Sequence, residues 1–144
     1  MVARLGELSA PAHRAVKGVA DSGVVVIDDT YNSNPEGAAR ALEMLEAATA
    51  GPERQSRRAV VTPGMVELGP DQDEANREFA TAVAKADAVL VVVGWTNRRA
   101  LMAGAGDGEI VTVGSRSAAR DWVRSNLVAG DGVLWENDLP NHYP

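Results

Sequence analysis

The chain has 144 residues, with 14 Lys and Arg against 20 Asp and Glu, a net charge of −6 and no cysteine. That length suits one domain with a real core. The acidity and the lack of a basic run exclude nucleic acid as the expected partner and argue against an anionic membrane surface. Absence of cysteine removes any disulfide framework or thiolate metal site, and His13 and His142 lie too far apart in sequence to suggest a zinc site. No apolar run reaches the ~18 residues of a membrane span and no signal-type stretch opens the chain. A cytoplasmic protein is expected.

Residues 1–12 have weak pattern, with Ser9-Ala10-Pro11 near their end, and read as a linker; residues 13–144 read as the domain. Arg14 to Val19 suits a short strand, and Asp21-Ser22-Gly23 is a turn into Val24-Val25-Val26-Ile27-Asp28. That predicts an antiparallel first pair. The β-branched run is what a strand buried on both faces looks like. It ends abruptly in Asp28-Asp29-Thr30-Tyr31-Asn32-Ser33-Asn34-Pro35. Asn34 suits a helix cap and Pro35 a first helical turn, where a missing N–H costs nothing. Ala38, Ala41, Leu42, Leu45 and Ala48 then recur at helical spacing.

From there strands and helices alternate. Strands are expected at Arg58 to Thr62, Ala88 to Val93, Ile110 to Val113 and Val133 to Trp135. Helices are expected from Asp71 or Asp73 with Phe79, Ala82, Val83 and Ala86 inward, from Asn97 to Met102, and from Ser117 to Leu127. Gly104 to Gly108 is read as a helix-to-strand turn. Such alternation means βαβ units with right-handed crossovers. The expected fold is α/β and Rossmann-like: a mostly parallel six-stranded sheet, one antiparallel edge strand, and helices on both faces.

In such sheets ligands bind beyond the carboxyl ends of the strands. The loops leaving those ends carry Asp29, Tyr31, Asn32, Asn34, Glu67, Trp95, Asn97, Arg98, Arg116, Asn137 and Asp138. Carboxylates, amides, a ring and guanidiniums on one rim suit a nucleotide or a small polar substrate. The bland alternatives are plain: Asx residues often just stop strands and cap helices, and a loop glutamate is usually solvated. No GxxxxGK[ST] occurs, so the chain by itself has no P-loop, and no GxGxxG follows the first long strand. A phospho-receiver domain would need a further aspartate after a central strand, where this chain has Thr62-Pro63-Gly64 or Val93-Gly94-Trp95. No catalytic residue and no metal ligand is assigned.

Asp28-Asp29-Thr30-Tyr31-Asn32-Ser33-Asn34-Pro35 resembles the DDxYNANP signature of the C-terminal domain of Mur ligases. Gly64-Met65-Val66-Glu67-Leu68-Gly69 is similar to the family's GDMLELG loop, in the branch whose amine donor is D-alanyl-D-alanine. His13-Arg14 and Gly130-Asp131-Gly132-Val133-Leu134 resemble the domain junction and the GDxVL before the last strand.

The resemblance implies the third domain of a cytoplasmic, ATP-dependent peptidoglycan ligase, inactive without an upstream P-loop domain. ATP and Mg2+ would be its cofactors, with Mg2+ held mainly outside this domain. UDP-muramyl peptide and an amino acid or dipeptide would be its substrates. It implies nucleotide binding at Asp29, Tyr31, Asn32 and Asn34, and substrate binding at Glu67, Asn137 and Asp138. Two departures stand out: Pro63-Gly64 replaces the usual Gly-Asp, and Glu136 to Pro144 replaces a KGSR-like turn. A Mur-like ligase with another donor or acceptor, or a non-catalytic nucleotide-binding module, are the alternatives.

Overall fold

The computed structural model describes residues 15–30, 34–50 and 56–137. Among the described residues six strands and four α-helices follow one another: β1 (Val16–Val19), β2 (Val25–Asp29), α1 (Pro35–Thr49), β3 (Arg58–Thr62), α2 (Gln72–Lys85), β4 (Val89–Val93), α3 (Arg98–Ala105), β5 (Ile110–Val113), α4 (Arg116–Asn126) and β6 (Gly132–Glu136). A 3-10 turn, Gly69–Asp71, leads into α2. The strands form one sheet in the order β1-β2-β6-β3-β4-β5. Only β1 is antiparallel, paired with β2 through a tight connection at Ala20–Gly23, where Gly23 has φ 92°. The expected architecture is thus observed, with element ends moved by at most three residues. The expected linker and His142 lie outside the described residues.

Strand alternation sends the core to two faces. Ile27, Val60, Leu90, Val92 and Leu134 pack with Ala38, Ala41 and Leu45 of α1, Phe79 and Val83 of α2 and Leu101 of α3. Ala59, Val61, Val89, Val91 and Val133 face the other way, against Ala119, Trp122 and Val123 of α4. Three helices on one face and one on the other leave a groove of about 570 Å³ beside α4, lined by Val24, Val26, Val123, Leu127 and Trp135 among others. Among the described residues no helix is long and apolar enough to cross a membrane.

Local chemistry matches these elements. Asn34 caps α1, its Oδ1 accepting from Gly37 N–H at 2.7 Å, and Pro35 opens the first turn. Ser115 caps α4 the same way, accepting from Ala118 N–H at 3.1 Å. Gly104 differs from its expected role. It lies inside α3, and a Cβ there would sit 2.1 Å from the Arg77 carbonyl oxygen of α2. Its missing side chain lets α2 and α3 approach closely; the turn itself falls at Gly106, with φ 57°.

Candidate functional site

β2, β6 and β3 lie side by side and end together. Asp29 of β2 is in register with Glu136 of β6, and β6 pairs in turn with β3, which ends in Thr62. All three polar residues are buried, at the carboxyl ends of strands whose preceding residues make the apolar core. Asp28 and Asp29 therefore part company. Asp28 is exposed and its Oδ1 accepts from Thr30 N–H at 3.1 Å, while Asp29 turns inward at 2% exposure.

Thr62 Oγ1 donates to Glu136 Oε1 at 2.6 Å and accepts from Gly64 N–H at 2.8 Å. Glu136 Oε2 is buried with no hydrogen-bond partner among the described residues. Burial pushes the Glu136 carboxyl up to about 8; the Thr62 hydrogen bond works against this and the Asp29 charge adds to it. Burial thus favours the neutral, protonated form of Glu136. Sequence reading placed no role on it, since an acid closing an apolar run reads as the start of a loop. Only its register with Asp29 exposes it as an interior group.

The loop after β3 is clamped by amides. Asn76 accepts from Met65 N–H at 2.8 Å and donates to Met65 O at 3.0 Å. Asn97 donates to Pro63 O at 3.1 Å and Met65 O at 3.2 Å, and accepts from Gln72 Nε2 at 2.9 Å. Asn137, itself at φ 53°, donates to Gly64 O at 2.7 Å, and its N–H donates to Asp29 O at 3.1 Å. Unpaired carbonyls in such a buried loop would each cost about 1–3 kcal/mol, so these amides hold its path.

The rim residues expected from the sequence divide accordingly. Asp29 and Asn137 meet at the ends of adjacent strands, and Asn97 is buried against the Pro63–Met65 loop. Asn34 is exposed at the mouth of α1, and Glu67 is exposed on the loop with φ 64°. Tyr31, Asn32 and Asp138 lie outside the described residues. On the far side of the rim, Arg98 lies 4.7 Å from the centroid of the exposed Trp95 ring. Its Nε donates to Gly94 O at 3.1 Å, so this guanidinium is engaged in holding β4 and α3 together. Arg116 is exposed at the start of α4. Among the described residues no group of three or more His, Cys, Asp or Glu is placed to hold a metal ion.

Residues 14–136 match the family described as Mur ligase, glutamate ligase domain. The chain is 35% identical over 137 residues to the UDP-N-acetylmuramoyl-tripeptide--D-alanyl-D-alanine ligase of Mycobacterium leprae, covering 85% of this chain and 26% of that protein. The ligase of the same name from Mycobacterium tuberculosis strain H37Rv is 31% identical over 140 residues, covering 85% and 28%. The chain therefore spans about a quarter of the length of the curated relatives it matches. Its fold resembles that of MurF ligase from Thermotoga maritima, solved in complex with ADP, with a TM-score of 0.63 and 21% identity over 80% of this chain and 25% of that one. The resemblance seen at Asp28–Pro35 and Gly64–Gly69 is thereby established over nearly the whole domain, and the chain belongs to the Mur ligase family as its C-terminal, glutamate ligase domain.

Proposed function

We propose that this chain is the closing domain of an ATP-dependent Mur-type amide ligase of peptidoglycan synthesis, working with upstream domains that carry the P-loop and hold the UDP-muramyl peptide. The family match over residues 14–136 carries this reading. When bound, ATP supplies the phosphoryl group that activates an acceptor carboxylate for attack by an amine. This chain's part is to present its carboxyl rim to that chemistry and to exclude water from it.

Within the rim, Asp29 and Asn34 are the described residues assigned to the nucleotide, with Tyr31 and Asn32 between them in sequence. Asn34 stands at a helix N-terminus, where backbone N–H groups and the helix dipole favour anionic groups. Asp29 supplies a carboxylate suited to a ribose hydroxyl. Because it is 2% exposed, it would reach a ligand only with local adjustment of the rim on closure. Glu67, Asn137 and Asp138 are assigned to the incoming amine substrate; of the first two, Glu67 is the accessible one. Mg2+ would accompany the nucleotide, with ligands mainly on the upstream domains. Cytoplasmic placement and inactivity of the isolated chain belong to the same proposal.

Nuclear magnetic resonance of the chain titrated with Mg-ADP tests the reading. Weak binding is expected, with perturbations centred on Asp29 to Gly37. The chain alone should release no ADP from ATP with UDP-linked tripeptide and D-alanyl-D-alanine. Fused behind the first two domains of the Mycobacterium leprae relative, it should restore release. Tight nucleotide binding by the chain alone would instead favour a stand-alone nucleotide-binding module.

A second reading, a Mur-type ligase with another amine donor, is favoured by Pro63-Gly64 and Glu136-Asn137, which meet at the rim through the Asn137–Gly64 bond. A panel of amino acids and dipeptides in the fused enzyme decides between the two donors.

A further inference from the structure

We propose that Glu136 is a proton-carrying positioning residue, which ties the end of β6 to Asp29 and to the Thr62–Gly64 turn so that one proton fixes the shape of the rim. Three observations carry this. Glu136 is 1% exposed and in register with Asp29, so two acids stand on adjacent strand ends inside the protein. Thr62 spends its one proton on Glu136 Oε1 and uses its oxygen to accept from Gly64 N–H, making a relay from Gly64 to the carboxyl group. Glu136 Oε2 is buried and has no partner among the described residues, a tolerable state for a neutral acid and a costly one for a carboxylate.

Among the described residues no cation acts on the Glu136 carboxyl group. β2 brings the Asp29 carboxylate, β3 brings Thr62, and the loop Pro63-Gly64-Met65 has no ionisable group. α1 turns Gly37, Ala38 and Ala41 inward, while its nearest charged residues, Glu36 and Arg40, are exposed. Among the described residues Asp29 is the ionisable group whose charge acts on Glu136. Ionising Glu136 would place two negative charges on neighbouring strand ends in the interior. The relay gives that strain a direction: Thr62 would be drawn to the carboxylate, and the Gly64 turn with it. The coupling stands on its own; its meaning for ligand binding rests on the proposed function of the rim.

Carboxyl and amide resonances of the chain, followed from pH 5 to 10, test this. Glu136 should titrate near 8, and the Gly64 amide should move with the same midpoint. In E136Q the amide oxygen can still accept from Thr62, so the fold should persist and the Gly64 amide should stay flat over that range. In D29N the Glu136 midpoint should fall as the like charge disappears, while burial, the larger cause, keeps it above the ordinary carboxylate range. An ordinary carboxylate midpoint for Glu136 would overturn the proposal. So would a Gly64 amide that ignores the Glu136 titration, or that titrates unchanged in E136Q. These signals need no ligand. With them as expected, absence of any Mg-ADP effect would count against the proposed function and leave the Glu136 coupling in place.

Discussion

Asn137 Nδ2 donates to the carbonyl of Gly64 at 2.7 Å, bridging 73 residues of sequence to lock the end of β6 onto the loop after β3. Gly64 is held from the other side too. At φ 87°, its missing Cβ would stand 2.6 Å from the Asn97 Cβ and 2.6 Å from its Nδ2. A side chain at position 64 therefore meets both an unfavourable backbone region and a wall. Gly64→Ala is expected to lower stability by about 2–4 kcal/mol, read from denaturant unfolding. Gly64→Asp relieves only part of this: aspartate tolerates positive φ better than alanine but carries the same Cβ. Wild-type stability in either variant would mean that Asn97 yields, and that the clamp is looser than its hydrogen bonds indicate.

Gly104 gives a test in which two effects have opposite sign. In an exposed helix interior, Gly→Ala stabilises by about 1 kcal/mol through propensity. Here the new Cβ would lie 2.1 Å from Arg77 O and 2.7 Å from Arg77 C, both rigid backbone atoms of the neighbouring helix. Thr81 Oγ1 also donates to Gly104 O at 2.8 Å across the same contact. Overpacking wins, and Gly104→Ala should destabilise by about 3 kcal/mol. A thermal unfolding midpoint at or above wild type would show that α2 and α3 can part at little cost.

The cap of α1 is a milder case. Asn34 satisfies one of the free N–H groups of the first turn, through Gly37, at an exposed position. Asn34→Ala should cost about 1 kcal/mol, and Asn34→Asp should retain most of the cap. If Asn34 also faces the nucleotide, Asn34→Ala should weaken Mg-ADP binding beyond what the same loss of stability produces elsewhere, for instance in a core variant such as Val60→Ala. Calorimetry on both variants separates the two.

Much of this fold was legible because it rests on periodicity. The continuous Val24–Ile27 run, the Ala38–Leu45 stripe and the glycine-led turns each name an element from its own residues. The antiparallel edge could be read from the short Asp21–Gly23 connection alone. What stayed hidden depends on register between distant segments. Asn76 looks like a surface residue of α2, and Asn97 and Asn137 look like rim ligands. All three are buried, and their side chains serve backbone groups of the Pro63–Met65 loop. Arg98 reads as an anion binder or a solvated helix start, but it covers Trp95 and serves the Gly94 carbonyl. Gly104 reads as part of a turn because nothing in its own neighbourhood announces Arg77. A side chain's donors are visible in sequence; the acceptors that consume them are not.

Glu136 makes the pH dependence of stability the most informative measurement on this domain. Its folded-state value of about 8 lies above its ordinary value of 4.5, because burial favours the neutral form. Below about 4.5 the group is protonated in both states and contributes no slope. Between 4.5 and 8 the folded chain keeps a proton that the unfolded chain has released, so the unfolded state binds fewer protons and stability falls as pH rises. The fall approaches about 1.4 kcal/mol per pH unit for one group and levels off above pH 8, where both states are ionised. Other carboxylates impose their own slopes, so the difference between wild type and E136Q isolates this one. Unfolding by urea at pH 5, 7 and 9 should show E136Q gaining on wild type from pH 5 to 7, and by less from pH 7 to 9. A constant difference across that range would mean that Glu136 is ionised in the folded chain throughout, with its charge compensated at the rim.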